Sequence, residues 1–219
     1  MKTILKVLVG SQAHGLATPE SDFDYRGVFA LPTSQILSLG SKLQTTSWIE
    51  GKDDDTSWEL SHFLHLATHC NPTILEVFLS PVIEEDEWGE ELRSLFPHVW
   101  NSQGVMNAFI GYGLNQRKKF LDEKDKRPHK YAAAYLRSLY NAWELLMTQT
   151  FTVKIADTEI GPTVRRFKNG EYTFGEVINV CREWEQRIYK VIDYKNYTPK
   201  ETNLAPINDF LLRYRKANW

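Results

Sequence analysis

The stretch that most limits what this chain can fold into is "VLVGSQAHGLATPESDFDYRGVF", residues 7–29. One apolar run ends on Gly10-Ser11, and the next is entered through Asp22-Phe23-Asp24. Residues 2–9 read as a buried strand, and residues 25–31, "YRGVFAL", as a second one stopped by Pro32. Acidic residues are poor strand formers. With a strand period of two, the side chains of Asp22 and Asp24 point the same way. Paired carboxylates repel unless a cation lies between them, and a divalent ion supplies one. Magnesium takes hard oxygen ligands and leaves room for phosphate oxygens. Gly10 lets backbone N–H groups approach closely. With the Ser11 hydroxyl, the turn amides and a following helix N-terminus, it makes a phosphate cradle. A phosphate grip followed by a carboxylate pair suits transfer of a nucleotidyl or phosphoryl group.

The rest of the chain divides by pattern. Residues 43–49, "LQTTSWI", have β character, and "TSWE" after the acidic "GKDDD" reads as a short strand leading into a helix. From Leu60 the apolar positions Leu60, Phe63, Leu64, Ala67 and Cys70 recur at helical spacing, until Asn71-Pro72 stops them. "TILEVFLS" is a short helix or turn ending at Pro81. Residues 101–121, 130–147 and 174–194 read as helices, with "KRPHK" interrupting the first two. A boundary near residue 100 divides an α/β part, 1–100, from a helical part, 101–219.

The stretch Gly10-Ser11 with Asp22-Phe23-Asp24 resembles the Gly-Ser…Asp-x-Asp signature of the DNA polymerase β superfamily of nucleotidyltransferases. The fuller string "GSQAHGLATPESDFDYRGVF", with "WELSHFLHLATHCNPTILEVFLS", "GYGLNQRKKF", "KYAAAYLRSLYNAWELL" and "RRFKNGEYTFGEV", is similar to its RNA-repair-pathway polymerase β family. The resemblance implies an α/β (α+β) fold, with a polymerase β-like core built on a mixed sheet and a C-terminal helical domain. It implies two Mg²⁺ (or Mn²⁺) ions held by Asp22, Asp24 and a third carboxylate on a neighbouring strand. The candidates for the third are Asp53, Asp54, Asp55 and Glu59. Asp55 is favoured because it directly precedes "TSWE", and Glu59 is the runner-up. Gly10 and Ser11 would hold a nucleoside triphosphate. The helix opening near Lys130 would lie beside the nucleotide, with Lys130 and Arg137, about two turns apart, as phosphate ligands. The family association suggests an RNA end as acceptor. The same chemistry on a small molecule or a protein side chain, or a non-catalytic nucleotide-binding protein, are the alternatives.

Other residues have competing roles. Arg26 shares the face of the acidic pair by period, as a structural ion-pair partner or as a triphosphate ligand. His14 is a loop histidine or a phosphate contact, and Ser21 orients the turn before Asp22. His62, His65 and His69 share one helix face, where solvation outweighs zinc binding. "NQRKKF", "KDKRPHK" and the Arg165, Arg166, Lys168 cluster are local basic patches, as suited to solvated helix ends as to nucleic acid. The scattered tryptophans read mostly as core or domain-interface residues.

Bulk properties narrow the classes. A net charge of -2 gives no whole-molecule attraction to nucleic acid or anionic membrane. No apolar stretch approaches the roughly 20 residues of a membrane span. The opening "MKTILKVLVGS" reads as a strand rather than a signal peptide. The two cysteines, Cys70 and Cys181, fall in apolar helical patterns and suit a reducing, cytoplasmic compartment.

Overall fold

The computed structural model describes residues 1–40, 42–48, 55–195 and 197–219. The fold is mixed α+β, with one five-stranded sheet and a predominance of helix. The chain forms two compact units. The first contains residues 1–13, 17–100 and 201–219, and the second contains 14–16 and 101–200.

The first unit is built on a sheet of strands β1 (Lys2–Val9), β2 (Asp24–Ala30), β3 (Thr46–Trp48), β4 (Thr56–Glu59) and β5 (Val82–Glu85), in the order β3-β4-β2-β1-β5. Only the β2–β4 pair is parallel, so the sheet is mixed. Its central strands are apolar on both faces, with Ile4, Leu5, Val7, Val28 and Phe29 fully buried. Helices α3 (Leu60–Thr68) and α4 (Pro72–Leu79) bury Phe63, Leu64, Leu75 and Phe78 in the same core. The rings of Phe63 and Phe78 lie 5.0 Å apart.

Asn71-Pro72 does more than stop a helix. Cys70 turns left-handed at φ 56. The Asn71 side chain then accepts the amides of Thr73 and Ile74, with proline at the first turn, and so starts α4. The second strand begins at Asp24, so Asp22 lies in the preceding loop and not on the strand face expected for it. That loop is held by its own bonds. Thr18 N donates to Ser21 Oγ at 2.9 Å, and Gln12 Nε2 donates to the Ser21 carbonyl at 3.2 Å.

Residues 201–219 group with the first unit. Helix α11 (Leu204–Ala217) buries Ile207, Phe210 and Tyr214. Trp88 meets Phe210 and Tyr214 edge-on at 6.0 and 5.1 Å. This apolar stripe covers the N-terminal unit, so the chain must return to it.

The second unit is centred on helix α8 (Pro128–Thr148), against which pack α7 (Ser102–Leu121), α9 (Gly161–Lys168) and α10 (Phe174–Ile192). Tyr140 and Trp143 approach Trp184 at 5.3 and 5.4 Å in edge contacts. Cys70 and Cys181 are both buried. Among the described residues no helix is long and apolar enough to cross a membrane.

Candidate active site

Three candidate groups of the first unit collect at one end of the sheet. Strand β1 ends at Val9, which pairs with Asp24 at the start of β2. The parallel register Arg26 to Thr56 sets the residue before β4, Asp55, alongside the same strand start. Gly10, Asp24 and Asp55 therefore meet where β1 runs out and β2 and β4 begin.

Gly10 is dictated by the space around it. Its φ is +68°, and a Cβ there would sit 2.3 Å from Asp24 Oδ2. Only a glycine lets the turn pass this close to the carboxylate. Ser11 follows in a single helical turn, α1 (Gly10–Ala13).

Asp55 is 1% exposed. Its Oδ1 accepts the Tyr25 amide at 2.7 Å. Its Oδ2 is buried without a hydrogen-bond partner among the described residues. A buried carboxylate oxygen left unmatched is costly, and a bound cation is one group that would match it. This atom is the observation that fits a metal ion here. Among the described residues, however, no group of three or more His, Cys, Asp or Glu side chains is gathered around one point. Asp22 is exposed in its loop, apart from such a group.

Glu59 has a different occupation. It is the N-cap of α3, and its Oε2 accepts the Ser61 amide at 2.7 Å and the Ser61 hydroxyl at 2.6 Å. Its Oε1 takes Arg215 Nη2 at 2.5 Å, with side-chain exposures of 5% and 13% for Glu59 and Arg215. Burial pushes the Glu59 carboxyl up, but the bonds from Ser61 and Arg215 outweigh it and hold it below the usual range. These contacts tie the end of β4 to the start of α3 and to Arg215. Asp53 and Asp54 lie outside the described residues.

Arg26 keeps the face of Asp24 by strand period, and its guanidinium lies 5.9 Å from the Trp58 ring centroid. Lys130 and Arg137 stand on α8 in the second unit, Lys130 exposed at the helix start. Arg137 is partly buried, and its Nη1 lies against the ring of His14, 2.9 Å from Nε2 and close to Nδ1. Arginine only donates, so the imidazole nitrogen accepts. His14 is 4% exposed. The rings of His65 on α3 and His69 at its C-cap are tilted to each other with centroids 4.3 Å apart, with no third ligand gathered among the described residues.

Sequence reading missed Arg215 altogether. Its partner lies 156 residues away, and an Arg in "LLRYRKA" carries no local sign of burial.

A mixed sheet with a glycine turn and two strand-edge carboxylates at one end, joined to a helical unit, is the architecture expected of a polymerase β-like protein. Residues 1–165 match the RNA repair pathway DNA polymerase beta family, and the chain belongs to that family. It is 29% identical over 136 residues to an uncharacterized 38.9 kDa protein of the nrdC-mobD intergenic region of Enterobacteria phage T4, covering 55% of this chain and 39% of that protein. It is 24% identical over 134 residues to the uncharacterized protein YcgL of Bacillus subtilis (strain 168), covering 60% of this chain and 52% of that protein. The matches thus span between 39% and 52% of the length of these relatives.

Proposed function

We propose that this chain is a metal-dependent nucleotidyltransferase that moves a nucleoside monophosphate from a nucleoside triphosphate to an acceptor hydroxyl, with an RNA end as the acceptor. Membership of the RNA repair pathway family supports the class. The single observation that carries the site is the buried Asp55 Oδ2, unmatched among the described residues, beside the strand that begins with Asp24.

In this reading Asp24 and Asp55, with Asp22 from the adjoining loop, hold Mg²⁺ or Mn²⁺. When bound, the ions supply charge neutralisation for the attacking and leaving oxygens. Gly10 and Ser11 receive the polyphosphate through turn amides and the serine hydroxyl. Asp55 Oδ1 is held by Tyr25 N, so Oδ2 is the oxygen available to take the proton of the acceptor hydroxyl. The acceptor oxygen bonds to the α-phosphorus, the bond from that phosphorus to the bridging oxygen breaks, and pyrophosphate leaves with the electron pair. Arg26, on the Asp24 face, is the cation of the first unit assigned to the phosphates.

The test is transfer of radiolabel from each α-phosphorus-labelled nucleoside triphosphate, with Mg²⁺ or Mn²⁺ and mixed RNA, by wild type and Asp24→Asn. Label on RNA with wild type alone supports the proposal. Label on protein or a small product replaces the acceptor. Nucleotide binding without transfer makes the chain a non-catalytic binder, and no binding at all refutes the reading.

A further inference from the structure

The segment that follows the Gly-Ser turn is gripped by three cations of the second unit. Arg137 reaches the His14 ring, Arg165 Nη2 donates to the Gly15 carbonyl at 3.1 Å, and Lys168 Nζ donates to the Leu16 carbonyl at 2.6 Å. The segment itself is fixed. The Ala156 amide donates to the His14 carbonyl at 3.0 Å. Gly15 has φ +68°, and a Cβ on it would stand 2.9 Å from that of Ala156. The cations converge on a rigid platform.

Carbonyls and an imidazole nitrogen accept hydrogen bonds but cancel no charge. Among the described residues none of Arg137, Arg165 and Lys168 forms an ion pair with a carboxylate, whereas Arg166, next in sequence to Arg165, pairs with Glu176 at 3.0 Å. Burial first, and then the charges of Arg165 and Arg137, hold the Lys168 ammonium below its ordinary range. Like charges this close repel, and an anion relieves them. Arg165 is exposed, and Arg137 and Lys168 are only partly buried, so an anion can reach them.

We infer that Arg137, Arg165 and Lys168 form a polyphosphate site in the second unit, floored by residues 14–16. The charge of the cluster suits a di- or triphosphate better than a single phosphate. The site lies within the second unit and does not depend on the proposed reaction.

The probe is inorganic tripolyphosphate added to the full chain, with sulfate at matched ionic strength as the control, followed by thermal unfolding and calorimetric titration. A saturable rise in Tm of roughly 5–10 °C at about a hundredfold excess over Kd is expected, well above that with sulfate. Arg165→Gln/Lys168→Gln should abolish it. If that variant does not fold, Arg165→Gln alone must weaken binding at least about tenfold. No saturable rise, a rise matched by sulfate, or an undiminished response in the variants overturns the site. Asp24→Asn should keep the tripolyphosphate response while losing transfer. A response that persists where wild type transfers no nucleotide therefore sinks the proposed function and leaves the anion site standing.

Discussion

Glu59→Gln separates a structural carboxylate from a reacting one. The side chain changes by one atom, but the partly buried Arg215 loses its only carboxylate among the described residues and keeps the Leu31 carbonyl at 3.1 Å. Removing one partner of a buried pair costs about 3–5 kcal/mol. The glutamine amide oxygen still accepts one bond from Ser61 or Arg215, which points to the lower end, about 3 kcal/mol. For a chain of this size that lowers Tm by roughly 6–12 °C. Glu59 is held below its ordinary pKa of 4.5, so its stabilisation is present above that pH and is lost as pH falls through the lower folded value. The variant and wild type should therefore converge in stability under acid. The assay is thermal unfolding by circular dichroism from pH 7 downward, with Arg215→Met and the double variant closing a cycle. Radiolabel transfer is measured below the variant Tm. An unchanged Tm with transfer abolished would refute the reasoning and make Glu59 the third carboxylate.

Three further outcomes follow from the same geometry. Asp55→Asn keeps the oxygen that accepts the Tyr25 amide, so its Tm should stay within about 2 °C of wild type; transfer should fall at least about hundredfold if Asp55 Oδ2 takes the proton. Gly10→Ala drives a Cβ against Asp24 Oδ2 at a backbone angle that disfavours side chains, so transfer should be lost together with about 1–3 kcal/mol of stability in urea unfolding. Phe210→Ala removes a fully buried ring that meets Trp88, and should destabilise the first unit by about 3–5 kcal/mol, read as a lower urea midpoint.

What was legible in the sequence is what short-range chemistry writes there. Strand β1 was visible because its apolar run is bounded by Gly10, and the end of α3 because Asn71-Pro72 stops it, whereas "TILEVFLS" fits a helix or a turn until the Asn71 cap is seen. The strand "TSWE" and the helix after it were visible because the period changes within a few residues of Glu59. Asp22 shows where period alone misleads. The alternation that put it beside Asp24 assumes a strand, and the Thr18–Ser21 turn ends only just before it, so the strand starts two residues later. Strand β5, "VIEE", hid because an edge strand with no buried residue tolerates carboxylates that propensity counts against it.

The choice between Asp55 and Glu59 was of another kind. Both lie on the same alternation around "TSWE", and no local rule separates them. What separates them is Arg215, brought back by the last helix to satisfy one carboxylate, while the other faces its strand neighbour with one oxygen unmatched among the described residues. Two carboxylates can thus share spacing and burial and differ in the partners that the fold supplies. The distinction lies in which long-range partner the fold supplies, and that is decided by the apolar stripe of α11, whose packing against Trp88 returns Arg215 to the sheet.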